Sequence, residues 1–267
     1  MRIDTNVLRA VNHYNTTVKS LANTSEQLSS GSRISRAAND TTAMVMNAKI
    51  RAQLNGLQQG ARNAQEGINV LNVADAALGS ISDQLTRAMA LAVGAASTGS
   101  NDADAVHAFD TELQDIVAQI DNTASQAAYA TVKLLDGSYA AQSFMIGDSG
   151  ANILNVTIGD ARSAALSITG LDLALDPNDA IDALKAAIAQ VSTQRSELGA
   201  VTNRLQATVN VLQNTVENLL SAGSRIADTD MTKAAAKLER DKVMLSSGAK
   251  AIDRAMASTV QVLRIVK

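Results

Sequence analysis

The side chains of this chain that could do chemistry are few and scattered. It has two histidines, His13 and His107, and no cysteine. A zinc site needs three or four converging ligands, and the His-Glu-x-x-His pattern of zinc proteases is absent. Without cysteine there is also no disulfide, thiolate ligand or cysteine nucleophile. We therefore expect no metal site.

The remaining candidates for a catalytic or cofactor site have simpler structural explanations. The run Gly147-Asp-Ser-Gly lacks the pattern of a phosphate-binding loop and is typical of a hairpin turn. Asp228 and Asp230 stand just before a helical pattern, where N-capping explains them better than acid–base catalysis does. The positive charge is neither clustered nor interleaved with aromatic residues, which argues against nucleic-acid binding. We expect no enzyme activity and no cofactor.

Composition predicts long helices rather than a compact globule. Of the 267 residues 46% are apolar but only 2% are aromatic, so Ala, Leu, Val and Ile must form the buried surface. Such side chains suit narrow seams between helices, and the single proline, Pro177, leaves long helices uninterrupted. No run approaches the ~18 apolar residues of a membrane span, and the N-terminus lacks the apolar core of a secretory signal. We expect no membrane insertion, and any export would use a dedicated route.

Charge is distributed unevenly along the chain. Residues 97–190 carry thirteen acids and three bases, whereas the two ends together carry twenty bases and thirteen acids. The net charge of the whole chain is only −3. An asymmetry of this kind indicates that the middle and the ends have different surroundings, one of them solvent and the other a shared interface.

Apolar residues at alternating steps of three and four predict a coiled-coil helix over about 4–30. Its predicted seam consists of Val7, Val11, Tyr14, Val18, Leu21, Ser25 and Leu28. Gly31 interrupts this pattern. The polar residues 32–42 predict an ordered but irregular linker.

Two more helices are predicted before the chain changes character, over about 43–96 and 103–127. The first of them carries a second apolar stripe, so it needs more than one neighbour, which favours a bundle over a two-stranded coil. The candidate N-caps are Asn39, Asp40 or Thr41 for one helix and Asn101 or Asp102 for the other.

The region from Tyr129 to about Ile168 predicts short strands, at 143–146 and 153–158, joined by a turn. Pro177 then opens a helix that we expect to be the longest, ending near residue 226. After a joint capped by Thr229 or Asp230, a last helix has a predicted seam of Met231, Ala235, Leu238, Lys242, Leu245, Ala249, Ile252, Met256, Thr259, Leu263 and Val266.

These elements predict a mainly α fold, an elongated antiparallel helical bundle or coiled coil with a small β-hairpin region at the tip. The long helices can pair only if the chain between them folds back, which brings the termini together. We expect an inner domain from residues 1–42 and 227–267, with the connecting linker. The remainder, 43–226, forms a rod domain that includes the β-hairpin region 129–179.

The C-terminal segment indicates self-assembly. Five apolar residues, Val260, Val262, Leu263, Ile265 and Val266, point around most of their helix, so one partner helix could not cover them. We expect residues 1–30 and 231–267 to be disordered in the monomer and to fold on packing against other copies. The alternative is a weakly docked C-terminal helix. The predicted polymer interface comprises Val7, Val11, Tyr14, Val18, Leu21, Leu28, Leu245, Ile252, Met256, Leu263 and Val266.

Several motifs, in order and on both arms of the predicted rod, closely resemble those of bacterial flagellin. Leu28-Ser-Ser-Gly-Ser-Arg-Ile34 resembles the N-terminal signature of that family. Ala61-Arg-Asn-Ala-Gln-Glu-Gly-Ile-Asn69 and Ala74-Asp-Ala-Ala-Leu78 resemble its N-terminal rod helix. Gln194-Arg-Ser-Glu-Leu-Gly-Ala-Val-Thr-Asn-Arg-Leu205 and Val216-Glu-Asn-Leu-Leu-Ser-Ala-Gly-Ser-Arg-Ile226 resemble its C-terminal rod helix. The resemblance covers nearly the whole chain.

This resemblance implies a self-assembling subunit of the flagellar filament, a helical homopolymer that serves motility. It implies terminal helices that line a central channel, type III export without a cleaved signal peptide, and an extracellular location. It also implies a flagellar export chaperone, a filament cap and hook-junction proteins as partners. Because only residues 129–179 stand where the family carries variable outer domains, the chain is expected to be a minimal form.

Two alternatives to the filament subunit remain open at this point. The chain ends with Arg264 and Lys267 where the family usually has small apolar residues, so a hook–filament junction protein of the same family is one alternative. A helical signalling rod is the other, although it predicts a helical hairpin rather than strands at the tip. A stalked enzyme or adhesin would need a larger inserted domain.

The resemblance also implies a contact with a Toll-type innate immune receptor on the rod surface. Matched by position, the contact residues are Arg87 and Leu91 in one helix and Glu112 in the next. The simpler interpretation is that Arg87 and Glu112 are solvated and that Leu91 flanks a subunit seam. Met89 and Ala90 replace polar or charged residues of the family.

Overall fold

The computed structural model describes the backbone of residues 2–97 and 102–265, and the side chains of residue 5 and of residues 7–97 and 102–257. Its described helices are α1 (Arg2–Ser30), α2 (Thr41–Ala95), α3 (Ala103–Gln126), α4 (Pro177–Ala227) and α5 (Met231–Ile265). Its strands are β1 (Ala128–Tyr129), β2 (Val132–Lys133), β3 (Gln142–Met145) and β4 (Ile153–Val156). The predicted mainly α fold is confirmed. The helix that begins at Pro177 is not the longest, because α2 has 55 residues and α4 has 51.

Aspartates cap four of these helices. Asp40 accepts a hydrogen bond from the Ala43 N–H at 2.9 Å, and Asp102 accepts one from the Ala105 N–H at 2.8 Å. Asp230 accepts hydrogen bonds from two N–H groups in the first turn of α5, each at 3.1 Å. Each of these aspartates was among the predicted caps. Asp176 caps α4 in the same way and was not predicted.

The chain divides into two compact units. The central unit comprises Leu54–Val216, and the terminal unit comprises Met1–Gln53 and Glu217–Lys267. Both α2 and α4 contribute residues to each unit. The predicted domain boundaries at 42/43 and 226/227 stay predictions.

In the central unit, α2 packs antiparallel to both α3 and α4 around one apolar core. Asp75 of α2 forms an ion pair with Arg195 of α4, with 2.8 Å between Oδ1 and Nε. The Gln84 amide donates to the Thr123 hydroxyl of α3 at 3.4 Å. Leu and Ile side chains of α2 that are fully buried, among them Leu78, supply the core. Two neighbouring helices account for the second apolar stripe that the sequence of α2 carries.

Two antiparallel hairpins follow α3 in the central unit. The pair β3–β4 lies where two strands joined by a turn were predicted, and it has Phe144 opposite Leu154. The pair β1–β2 was not predicted, because each of its strands has only two residues. The turn after β3 lies directly on α2: a methyl group added to Gly60 would stand 2.8 Å from the backbone of Ile146. Glycine therefore permits a close approach of helix and turn.

Residues 157–176, called here the strap segment, lie along α3 without forming a strand. Their attachment depends on acids of α3. Asp121 accepts hydrogen bonds from the N–H and the hydroxyl of buried Ser163, both at 2.7 Å. Asp110 accepts one from the Leu173 N–H at 3.0 Å. Some of the acidic residues in the segment 97–190 thus accept hydrogen bonds from backbone N–H groups of the strap segment rather than facing solvent.

In the terminal unit, α1 and α5 run antiparallel, as predicted. The Ser20 hydroxyl donates to Asp241 at 2.8 Å, and the Tyr14 ring lies over Gly248. The linker joins the connection between α4 and α5 through hydrogen bonds from the Arg33 N–H to the Ala227 carbonyl at 2.7 Å and from the Thr229 N–H to the Gly31 carbonyl at 2.9 Å. The predicted linker is ordered but irregular, and these bonds explain its order.

The seam of the pair differs in part from the predicted one. In α1, Thr17 and Thr24 are buried while Val18 and Ser25 are exposed. In α5, Asp241 is buried, whereas Lys242, assigned to the seam from the sequence, is exposed. The two shifts have different explanations. The Thr17 and Thr24 hydroxyls donate to backbone carbonyls one turn earlier, which allows threonine to be buried in a helix. Asp241 accepts the hydrogen bond from Ser20 of the other helix.

Candidate assembly interface

The predicted interface residues whose side chains are described lie along the α1–α5 pair and are incompletely covered. Seven are half-buried: Val7, Val11, Tyr14, Leu21, Leu28, Leu245 and Ile252. Val18 is 40% exposed and Met256 is 49% exposed. The side chains of Leu263 and Val266 lie outside the described residues. Each predicted interface residue with a described side chain therefore keeps exposed surface that the α1–α5 pair does not cover and that a further partner could cover.

The terminal unit also exposes apolar side chains that the sequence analysis did not select. They are Leu8, Met44, Val45, Met46, Leu220, Val243 and Met244. Leu8 is 61% exposed and Val243 is 63% exposed. These residues lie off the predicted seam, so periodicity assigned them to the solvent side. Met231, which was assigned to the seam of the last helix, is exposed as well. Methionine side chains adapt to uneven surfaces, which suits contacts between copies.

A groove of about 380 Å³ runs between α1 and α5 on one side of the pair. It is lined by His13, Tyr14 and Thr17 of α1 and by Val243, Met244, Ser247, Gly248 and Ala251 of α5. His13 is exposed and borders a mostly apolar wall.

The two units carry the same net charges as the middle and end segments of the sequence. The terminal unit carries sixteen Lys and Arg residues against nine Asp and Glu, so its net charge is +7. The central unit carries seven bases and seventeen acids, a net charge of −10. Such a separation affects association between copies and its dependence on salt.

Of the two carboxylates near the joint between α4 and α5, Asp230 caps α5. Hydrogen bonds from the backbone N–H and the side chain of Lys233 hold the pKa of Asp230 below its ordinary value. Ser224 donates to the neighbouring Asp228. A general acid would need a raised pKa, so the shift at Asp230 points away from acid catalysis.

Arg87, Leu91 and Glu112, the predicted receptor contact, all lie in the central unit. Arg87 of α2 and Glu112 of α3 form an ion pair with each other, and the Arg87 side chain is 69% exposed. Leu91 is half-buried and packs against the apolar core. The structure thus brings the two charged groups together on the surface and anchors the leucine beside the core.

No group of three His, Asp or Glu side chains converges as metal ligands within the described part of the chain. His13 and His107 lie in different units, and both are exposed. Among the described helices, none has a stretch that is apolar and long enough to cross a membrane.

Comparison with known proteins matches almost the whole chain. A family model described as the bacterial flagellin N-terminal helical region matches residues 3–140, and its C-terminal counterpart matches residues 181–266. The flagellin of Bacillus subtilis strain 168 is 31% identical, with 100% of both chains covered. The flagellar filament 33 kDa core protein of Treponema phagedenis is 33% identical over 91% of each chain.

Solved structures agree with this match. The crystal structure of Bacillus cereus flagellin is 26% identical, with a TM-score of 0.51 over 56% of this chain and 88% of that one. A putative flagellar hook-associated protein from Vibrio parahaemolyticus gives a TM-score of 0.60 over 71% of this chain and 100% of that one. Its identity is only 12%, so the likeness is one of fold alone.

Proposed function

Because the chain belongs to the bacterial flagellin family and is a subunit of the flagellar filament, we propose that it polymerises chiefly through its terminal helix pair, with further contacts from the central unit. Flagellins are structural proteins of motility, and we therefore propose that this chain has no catalytic activity. The observation that supports the terminal pair most directly is its exposed apolar surface on both α1 and α5.

The energetics of the pair favour this proposal. A two-helix pair with half-buried Val and Leu side chains covers too little apolar surface to offset the ordering of two long helices. Covering one exposed Val or Leu side chain contributes about 1.5–3 kcal/mol when the burial is complete. Several such side chains, including Leu8 and Val243, supply a driving force for association that a monomer leaves unused.

The two units are proposed to have different places in the filament. We assign residues 1–42 and 227–267 to an inner domain and residues 43–226, with the β-hairpin region 129–179, to an outer rod domain. The net charge of −10 on the central unit keeps a solvent-facing surface soluble. Like charges on neighbouring terminal units repel, so we expect low salt to oppose assembly.

Hydrogen exchange on the monomer tests whether the terminal pair needs other copies. We propose that residues 1–30 and 231–267 become ordered only in the filament. Amide protons of the described part of these segments should exchange much faster than those of residues 64–92 in the monomer, and should become protected after assembly. Equal protection of both regions in the monomer would contradict this part of the proposal.

Family membership supports a proposal about export and the remaining partners. We propose that the subunit is exported by the flagellar type III apparatus to the cell exterior. A cytoplasmic export chaperone, a filament cap and hook-junction proteins are its proposed partners. Pull-down of a chaperone from cytoplasm with the full chain, but not with preformed filaments, would support a contact that the filament buries.

Electron microscopy of the purified protein under polymerising conditions tests the function itself. Helical filaments of uniform width are the expected result. Short capped assemblies or persistent monomers would instead indicate the junction-protein alternative, which the family models and the curated relatives do not favour.

We also propose that a Toll-type innate immune receptor contacts Arg87, Leu91 and Glu112. The exposed Arg87–Glu112 pair offers charges of both signs at one surface point. The receptor's signalling response to the Arg87→Ala variant should be weaker than its response to the Arg62→Ala variant. Arg62→Ala is the control, because it removes an exposed arginine elsewhere on α2. Unchanged signalling by Arg87→Ala would remove this assignment.

A further inference from the structure

The seam between α1 and α5 is unusual because its most buried members are mainly polar. The most buried described side chains of the two helices are Thr17, Thr24, Ala234 and Asp241. Asp241 is 5% exposed. An acid at such a position reduces the stability of a helix pair relative to an apolar residue, so its presence calls for another role.

The apolar part of this seam does not by itself select one register. Its Val, Leu and Ile residues recur at steps of three and four, so a slide along the pair replaces one small apolar contact by another. Thr17 and Thr24 do not select a register either. Their hydroxyls donate to backbone carbonyls of α1, at 2.9 Å in both cases, and these bonds survive any slide.

Besides the hydrogen bonds between the linker and the connection of α4 to α5, two contacts between side chains or residues of the pair itself depend on register. The Ser20 hydroxyl donates to Asp241 Oδ2 at 2.8 Å. Tyr14 lies over Gly248, where an added methyl group would stand 3.5 Å from the ring. A buried polar group that finds its partner in only one alignment is an established way to fix the register of a coiled coil.

A slide of one turn breaks both contacts together. Tyr14 would then face the larger side chain of Met244 or Ile252 in place of a glycine. In the same two arrangements Ser20 would face Lys237 or Leu245. Asp241 would lose the hydroxyl that satisfies it while remaining buried, which is costly for a carboxylate.

We propose that Ser20 and Asp241, together with the contact of Tyr14 with Gly248, set the register of the terminal helix pair. Asp241 is thus a positioning residue: it fixes the height along the pair at which exposed side chains such as Val243 meet other copies. This inference rests on the proposed function for its consequence, because a fixed height is useful only to a subunit that assembles.

Disulfide cross-linking measures this register directly, because the chain has no native cysteine. Leu28→Cys with Ala234→Cys reports the native alignment, since this pair lies two heptads from the Tyr14–Gly248 contact along both helices. Leu28→Cys with Leu238→Cys, and Thr24→Cys with Ala234→Cys, report slides of one turn in the two directions. Each cysteine pair is oxidised in filaments, and the intrachain product is quantified after dissociation.

The test compares Asp241→Leu with Asp241→Asn in each cysteine background. The leucine removes the polar group, and the ratio of native to shifted cross-links should fall about tenfold, the effect of losing one hydrogen bond to a charged acceptor. The asparagine can still accept from Ser20 and should keep the native ratio within about twofold. Ser20→Ala should shift the ratio in the same direction as Asp241→Leu, and it provides the readout if the leucine variant does not assemble.

The outcomes separate this proposal from the proposed function. Filaments in which Asp241→Leu and Ser20→Ala keep the native cross-link ratio would overturn the register proposal and leave the function intact. An equal shift in Asp241→Asn would overturn it as well, because the hydrogen bond would then be irrelevant. Failure of the chain without any substitution to form filaments would overturn the proposed function, and the proposal with it.

Discussion

Replacement of Val243 by serine should weaken assembly without changing the monomer. Val243 lies on α5 in the terminal unit and is 63% exposed, so its substitution removes little that stabilises a single chain. Complete burial of a valine contributes about 1.5–3 kcal/mol. Covering the exposed 63% in the filament therefore contributes about 1–2 kcal/mol per subunit. Loss of that contribution should raise the critical concentration about 5- to 30-fold.

Val211 provides a matched control for this experiment. It is also a helical valine that is 63% exposed, but it lies in the central unit. Val211→Ser makes the same change in helix propensity and polarity, so any difference between the two variants reflects what covers each site. The critical concentration is measured by sedimentation of filaments at fixed salt, with circular dichroism of the monomers as a check on folding.

Two results would refute this reasoning. Equal increases for both variants would mean that the terminal pair has no special share in assembly. An unchanged critical concentration for Val243→Ser, in filaments of normal appearance, would mean that solvent still reaches this side chain in the polymer. Either result would leave family membership untouched and would remove the terminal helix pair as the chief source of assembly energy.

Three further predictions concern the central unit. Asp121→Ala leaves two buried donors of the strap segment without an acceptor, so the free energy of unfolding in urea should fall by about 2–4 kcal/mol; a loss below about 0.5 kcal/mol would show that water replaces the carboxylate. Gly60→Ala should lower the free energy of unfolding by about 1–3 kcal/mol because the added methyl group meets backbone atoms at 2.8 Å. Gly199→Ala is the control: no atom lies within 4 Å of the added methyl group, so the free energy of unfolding should rise by up to about 1 kcal/mol. Equal effects of the two substitutions would contradict the close approach of helix and turn. Hydrogen bonds from Arg162 hold the pKa of Asp160 below its ordinary value of 3.8. The stability that the Asp160 carboxylate adds, relative to the Asp160→Asn variant, is therefore fully present above pH 3.8 and is lost as the pH falls through the lowered pKa. Free energies of unfolding that change in parallel with pH for the two proteins would contradict this prediction.

Sequence reasoning identified the helices of this protein well because their signals are local. Alternating steps of three and four residues follow from the helical repeat, and capping aspartates such as Asp40 and Asp102 act within one turn. The hairpin β1–β2 was missed for the same reason, because two-residue strands carry no periodic signal. The strap segment has no regular pattern either, since its backbone is held by acids such as Asp121, 42 residues away in the chain.

The candidate interface was predictable only in outline. The apolar seam placed Val11 and Leu21 on the terminal pair, but it could not show that Val243 and Met244 beside the seam are also exposed. Hydrophobicity scales rank threonine and aspartate as polar, so they do not indicate that Thr17, Thr24 and Asp241 are buried. Whether such a side chain is buried depends on the partner that satisfies it, and that partner is a tertiary fact.

By itself the sequence determined the class of the protein: long Ala- and Leu-rich helices and motifs that resemble those of the bacterial flagellin family along both arms. The helices follow from composition and local periodicity, which act over a few residues. The tertiary structure decided which face of each helix is covered and in what register the termini meet. Those choices depend on contacts such as Ser20 with Asp241, whose members are 221 residues apart and carry no common local signal.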